Sequence, residues 1–161
     1  MHRVSGIPRR LSNGNVQVET WQGLWELPSD GSINDEVFEA FTTGHCHSLA
    51  LALNKLTGWP IYGAGAPWDT EDSPAHVFVK HPSGRFVDIT GFMDANKEGS
   101  RWLKKIYNIH KVKDAYNLDA YFDPQPKFAM PYAKTVLANV GGLMPAGAGA
   151  KAKTTTKRRI K

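Results

Sequence analysis

Cysteine is almost missing from this chain: one thiol, Cys46, in 161 residues. A single cysteine excludes an intramolecular disulfide and gives no reason to expect an oxidising compartment. It also excludes paired-cysteine zinc modules, and no HExxH stretch takes their place. Long apolar runs are missing as well. No window approaches the roughly 18 apolar residues of a membrane span. The opening stretch MHRVSGIPRRLSNG is basic but has no apolar run, so it predicts no secretory signal. A soluble, cytoplasmic protein without a membrane partner is the expectation. The rest is ordinary globular material, 41% hydrophobic and 22% charged, enough for one domain with a sizeable core.

The net charge of +5 suggests nucleic acid until its location is read. Lys151, Lys153, Lys157, Arg158, Arg159 and Lys161 supply six positives at the end of the chain, leaving 14 basic against 15 acidic residues elsewhere. The domain is neutral and the basicity is an appendage. Such a tail is expected to be disordered and can attract a nucleic acid or another anionic partner through its phosphates.

Alternation in NVQVET (15–20) predicts a short strand. The aromatic stretch WQGLWELP (21–28) is broken by Gly23 and Pro28, and SDGS (29–32) is turn material. Ile33, Val37, Phe38 and Phe41 recur at helical spacing, with Asp35 and Glu36 suited to a first turn. Residues 57–75 read as a long irregular connection. HVFVK (76–80) and RFVDI (85–89) predict strands, NKEGSRWLKKIY (96–107) a helix and NIHKV (108–112) a third strand, while LDAYF (118–122) fits neither period. PYAKTVLANVGG (131–142) predicts a helix with Pro131 in its first turn and Gly141 at its end. The expected organisation is an N-terminal extension (1–12), an α+β domain (13–142), and a Gly/Ala linker with the basic tail (143–161).

CHSLALALNKLTG alternates like a strand, but its composition favours a helix. Alanine and leucine are strong helix formers, no β-branched residue precedes Thr57, and Gly58 suits a C-terminal cap. As a helix it is apolar nearly all round and therefore buried. Cys46 stands at its N-terminal end, in line with Leu49, Ala50 and Leu53.

The stretch HPSG (81–84) suits a three-residue hairpin loop with Gly84 in the left-handed position. That register pairs 79 with 87 and gathers Val77, Val79, Val87 and Ile89 on one face. A register shifted by one would bury Asp88 among aliphatics, at a cost of several kcal/mol. In the favoured register His76, Phe78, Phe86 and Asp88 share the other face. His76 and Asp88 are then diagonal neighbours about 7 Å apart at Cβ, within reach of a side-chain hydrogen bond. Packing that face against the Cys46 helix would assemble an activated nucleophile. The helix N-terminus and an imidazolium both favour thiolate, and Asp88 would fix the imidazole's tautomer. The Cys46 N–H can serve an oxyanion; the second donor is open among Gln22, His45 and Thr43.

The segments GHCHSLALAL, HVFV and GRFVDITG together resemble the papain-like cysteine peptidase superfamily in its broad sense. The small papain-fold domains of bacterial toxins and phage proteins are the nearest likeness. The resemblance spans residues 40–92. It implies a papain-like α+β fold, with a Cys-bearing helix packed on a small antiparallel sheet. It implies a hydrolase or acyl-transfer enzyme of peptidase, amidase or deamidase type, acting on a peptide or protein amide without a cofactor. Cys46 would be nucleophile, His76 base and Asp88 the orienting acid. Members with a glutamine a few residues before the nucleophile use it for the oxyanion, and EAFTTGH holds none.

Other readings stand beside this one. A zinc site could join Cys46 and His76 to His45, His47 or His81, although no metal is the expectation. On a helix, His45 and His47 should point away from Cys46 and be solvated or hydrogen-bonded. Trp59 and Trp68 are candidates for binding substrate, with Trp21 and Trp25 as further core and cleft lining. Asp69, Glu71 and Asp72 read as a solvated loop or a selector of basic substrates. The alternative to catalysis is a papain-like structural or binding protein, such as a phage virion component or a nucleic-acid-associated protein using the tail.

Overall fold

Two antiparallel sheets and a nearly all-apolar helix organise the protein. The computed structural model describes residues 8–20, 22–69, 74–113 and 126–141. In the first sheet, β1 (Arg9–Arg10), β2 (Val16–Thr20) and β3 (Gly23–Leu27) lie in sequence order. The predicted alternation holds in β2: Val16, Val18 and Thr20 are buried, while Gln17 and Glu19 are only half-buried. The broken aromatic stretch continues the ladder as β3, pairing Val18 with Trp25 and Thr20 with Gly23. β1 pairs Arg9 with Gln17, so the sheet starts ahead of the expected boundary at residue 13.

Helix α1 (Asp35–Thr42) begins where Asn34 caps it, its side chain accepting the Val37 N–H at 2.9 Å. Helix α2 (Cys46–Thr57) ends at Gly58, whose φ of 79° supplies the left-handed cap. Cys46, Leu49, Ala50, Leu51, Ala52 and Leu53 are all buried, as a helix apolar on every side requires.

The second sheet contains β4 (Ile61–Gly65), β5 (His76–Lys80), β6 (Phe86–Asp88), β7 (Gly91–Phe92) and β8 (Asn108–Lys111). Its order is β7-β6-β5-β4-β8, with every pairing antiparallel. The hairpin has the predicted register, Val79 opposite Val87, and the predicted loop, Gly84 at φ 94°. Val77, Val79, Val87 and Ile89 lie in one core with Leu49 and Leu53 of α2. Phe78 and Met93 form a smaller cluster across the sheet, flanked by Phe86 and Trp102. Each fully buried aliphatic contributes about 1.5–3 kcal/mol, and that term sets which face α2 covers. It covers the valine face, not the His76–Asp88 face expected from sequence.

Three further expectations change. The connection 57–75 contains a central strand, β4, whose Gly63 leaves room for Pro74; a Cβ there would lie 2.8 Å from the proline ring. Residues 96–107 form a four-residue helix, α3 (Lys97–Ser100), and a short 3₁₀ turn over Arg101–Leu103. The last helix, α4 (Pro126–Asn139), includes the five residues ahead of the expected start, so Pro131 lies inside it. Its surroundings hold it there: Tyr132 donates to the Pro28 carbonyl and Thr135 to Gly31, at 2.6 and 2.7 Å. Trp21, Glu71, Asp72, the stretch 118–122 and the basic tail lie outside the described residues. Among the described residues no helix is long and apolar enough to cross a membrane.

Candidate active site

Cys46 opens α2 and His76 opens β5. The sulfur and the imidazole are near enough to shift one another's titration, although α2 packs on the sheet's valine face. No side-chain hydrogen bond from His45 caps α2; the His45 carbonyl instead accepts the Ser48 and Leu49 N–H groups at 3.1 and 3.3 Å. Cys46 is 7% exposed, and a cavity of about 360 Å³ beside it is lined by Gln22, Thr43, His47, Arg101 and Trp102 among others. An adjoining cavity of about 390 Å³ shares Gln22, Thr43, Arg101 and Trp102 and reaches Asp88 and Thr90.

His76 donates Nε2–H to Asp88 Oδ2 at 2.8 Å, with both side chains buried. The other carboxylate oxygen accepts from Thr90, through its N–H at 2.8 Å and its hydroxyl. Trp102 stacks on the His76 ring, centroids 4.9 Å apart and planes 21° apart. Asp88 and Trp102 thus fix the ring from its edge and its face. Nδ1 is buried without a well-aligned hydrogen bond, and it is the nitrogen left for the sulfur. A loose contact of this kind is common before substrate tightens a site.

The electrostatics of the two groups are reciprocal. Burial pushes the Cys46 thiol up, but the charge and hydrogen bond of His47, then those of His76, outweigh it and bring the pKa down to about 5. Burial pushes His76 down, but the Asp88 hydrogen bond and the Cys46 sulfur raise it to about 9. Between those values thiolate and imidazolium coexist, the state in which sulfur attacks carbon and the ring already carries the proton for a leaving group.

The remaining candidates divide. Gln22 stands in the β2–β3 turn and lines both cavities. Thr20 braces that turn, its hydroxyl accepting from Gln22 N–H and Trp25 Nε1–H. Thr43 lines the cavities too, but its hydroxyl donates to the Glu39 carbonyl at 2.6 Å. His45 donates Nε2–H to the Glu19 carbonyl at 2.6 Å; it ties the head of α2 to β2 and is not aimed at an oxyanion. Burial pushes its pKa down, against the raising effect of that carbonyl. Trp59 lines neither cavity: it is buried behind Gly58, its ring edge-on to His81. Trp68 is 80% exposed on the loop after β4 and lines neither cavity. Asp69 accepts the Ala66 N–H within that loop.

His47 departs from expectation. Its Nδ1 lies 3.7 Å from Cys46 Sγ, both side chains belonging to a first turn whose Cα–Cβ bonds tilt toward the helix N-terminus. Trp102, Arg101 and Thr90 went unread in the sequence. Thr90 had a signal, a hydroxyl two residues after an aspartate, which suits a local turn; the two cleft residues had none. Among the described residues no group of three His, Cys, Asp or Glu is arranged to hold a metal ion. Compared with models of protein families, with curated proteins and with solved structures, the chain matches none.

Proposed function

We propose that the protein is a papain-like thiol enzyme that hydrolyses or transfers an acyl group from a peptide or protein amide. The single observation that carries this reading is the mutual polarisation of Cys46 and His76, with Asp88 fixed on the far ring nitrogen. The Cys46 thiolate attacks the carbonyl carbon, and its electron pair forms the S–C bond. The carbonyl oxygen takes the negative charge, stabilised by the Cys46 N–H at the head of α2 and by Gln22 across the cleft. Imidazolium His76 gives its proton to the leaving nitrogen as the C–N bond breaks, which leaves a thioester. Neutral His76 then draws a proton from water, or from an acceptor amine or alcohol, as that nucleophile displaces the sulfur.

The test is acylation by p-nitrophenyl acetate. Wild type should release a burst of nitrophenolate equal to the number of chains and gain one acetyl group on Cys46. Cys46→Ala should show no burst, and His76→Ala should turn over about 10²–10⁴-fold more slowly. Identical traces for wild type and Cys46→Ala, with circular dichroism unchanged, would overturn the reading.

A further inference from the structure

We propose that His47 is a second catalytic residue of this site, donating Nδ1–H to the Cys46 sulfur whenever that sulfur carries charge. The inference rests on the thiol-enzyme reading above and assigns separate work to the two histidines. Geometry carries it: His47 Nδ1 is 3.7 Å from Sγ, and the ring is 3% exposed. It stands on the same helical turn as the nucleophile and lines the same cavity. Its distance from the sulfur is therefore set by one turn of one helix. The distance from His76 depends on how α2 meets β5.

The division of labour follows from the partners. His76 has Asp88 behind it, so it can gain and lose a proton at Nδ1 without losing its orientation. His47 needs no proton exchange. In acylation its donor releases the sulfur as the electron pair moves into the S–C bond and His76 protonates the leaving nitrogen. In deacylation water's oxygen bonds to the acyl carbon and its proton goes to His76. The C–S pair then returns to a sulfur facing the His47 donor. Among the titratable or charged groups near His47 are Cys46 and His45, and Arg101 lines the same cavity. The burial of His47 among them keeps its effect on the sulfur from being screened.

The experiment measures the rate of Cys46 alkylation by iodoacetamide from pH 4 to 10 in the full chain. In wild type the half-maximal rate should fall near pH 5. In His47→Ala, and in His47→Phe, which fills the space without a donor, the midpoint should rise by about one pH unit or more. The rate at pH 6 then drops about twofold for a one-unit rise and about tenfold for a two-unit rise. His47→Asn, with an amide donor near the place of Nδ1, should recover part of the loss. Deacylation of acetyl-Cys46 should slow in His47→Phe. A folded His47→Phe with the wild-type profile overturns the role of His47 and leaves the site reading intact. A wild-type thiol titrating near 8.5, like a free cysteine, overturns both. NMR of the unsubstituted protein supplies an arm that no folding defect can obscure. The His47 Nδ1 resonance should move with the thiol's titration, and a resonance that stays fixed overturns the proposal.

Discussion

Asp88 uses both carboxylate oxygens, one on Thr90 and one on His76. This arrangement predicts a specific effect of Asp88→Asn. The amide keeps the size of the side chain but removes the charge that favours imidazolium, so the His76 titration should move down from about 9. NMR of the His76 ring protons reads this directly, and turnover of p-nitrophenyl acetate should fall about 10²–10⁴-fold alongside it. An unmoved His76 midpoint would show that Asp88 is a structural partner only. At this scale the sequence was informative. The valine face and the HPSG loop fix one register of the hairpin, and the register places His76 beside Asp88. What it hid was direction at a helix end: helical spacing sends His47 away from Cys46, yet its Nδ1 lies 3.7 Å from the sulfur.

Elements set where those residues meet. Helix α3 lies against the turn that follows Asp88, and the contact is made at Gly99. A Cβ there would lie 2.6 Å from Thr90 Oγ1 and 2.7 Å from Met93 Cα. The second of these is backbone and cannot swing aside. Gly99→Ala should therefore displace α3 and the following turn, lifting Trp102 off the His76 ring, at a cost of about 1–3 kcal/mol. A lowered urea midpoint together with loss of the nitrophenolate burst is the expected result. A wild-type midpoint would mean that α3 is free to shift. The same contacts explain which elements the sequence concealed. β4 reads IYGAG, with Gly63 clearing Pro74, so only Ile61 and Tyr62 of this inner strand are of the kind that marks one. α4 was read short because Pro131 suits a first turn, whereas contacts from the 28–31 loop hold it inside the helix. The 3₁₀ turn carrying Trp102 has no periodic pattern at all.

At the scale of the whole molecule, the site is a term in folding. Cys46 has a folded pKa near 5 against an unfolded value near 8.5. Its stabilising effect is therefore complete above the unfolded value and lost as pH falls through 5. His76 runs the opposite way, folded near 9 against 6.5 unfolded. Its stabilising effect is complete below 6.5 and lost as pH rises through 9. Between 6.5 and 9 the two slopes oppose and nearly cancel. From 5 to 6.5 the thiol acts without that opposition, because His76 is protonated in both states. Unfolding free energy should climb over that window by an amount on the order of 1–2 kcal/mol, then stay level to about pH 9. His45, whose pKa burial lowers, slopes in the same sense below 6.5 and is common to wild type and Cys46→Ala. The difference between the two proteins in urea unfolding, measured at pH 5.0, 6.5 and 8.0, reports the thiol together with its pull on His76. It should widen from the first to the second. From the second to the third it should widen further, because Cys46→Ala keeps the part of the opposing His76 slope that Asp88 supports. A difference constant across all three would mean that Cys46 ionises alike in the folded and unfolded chain.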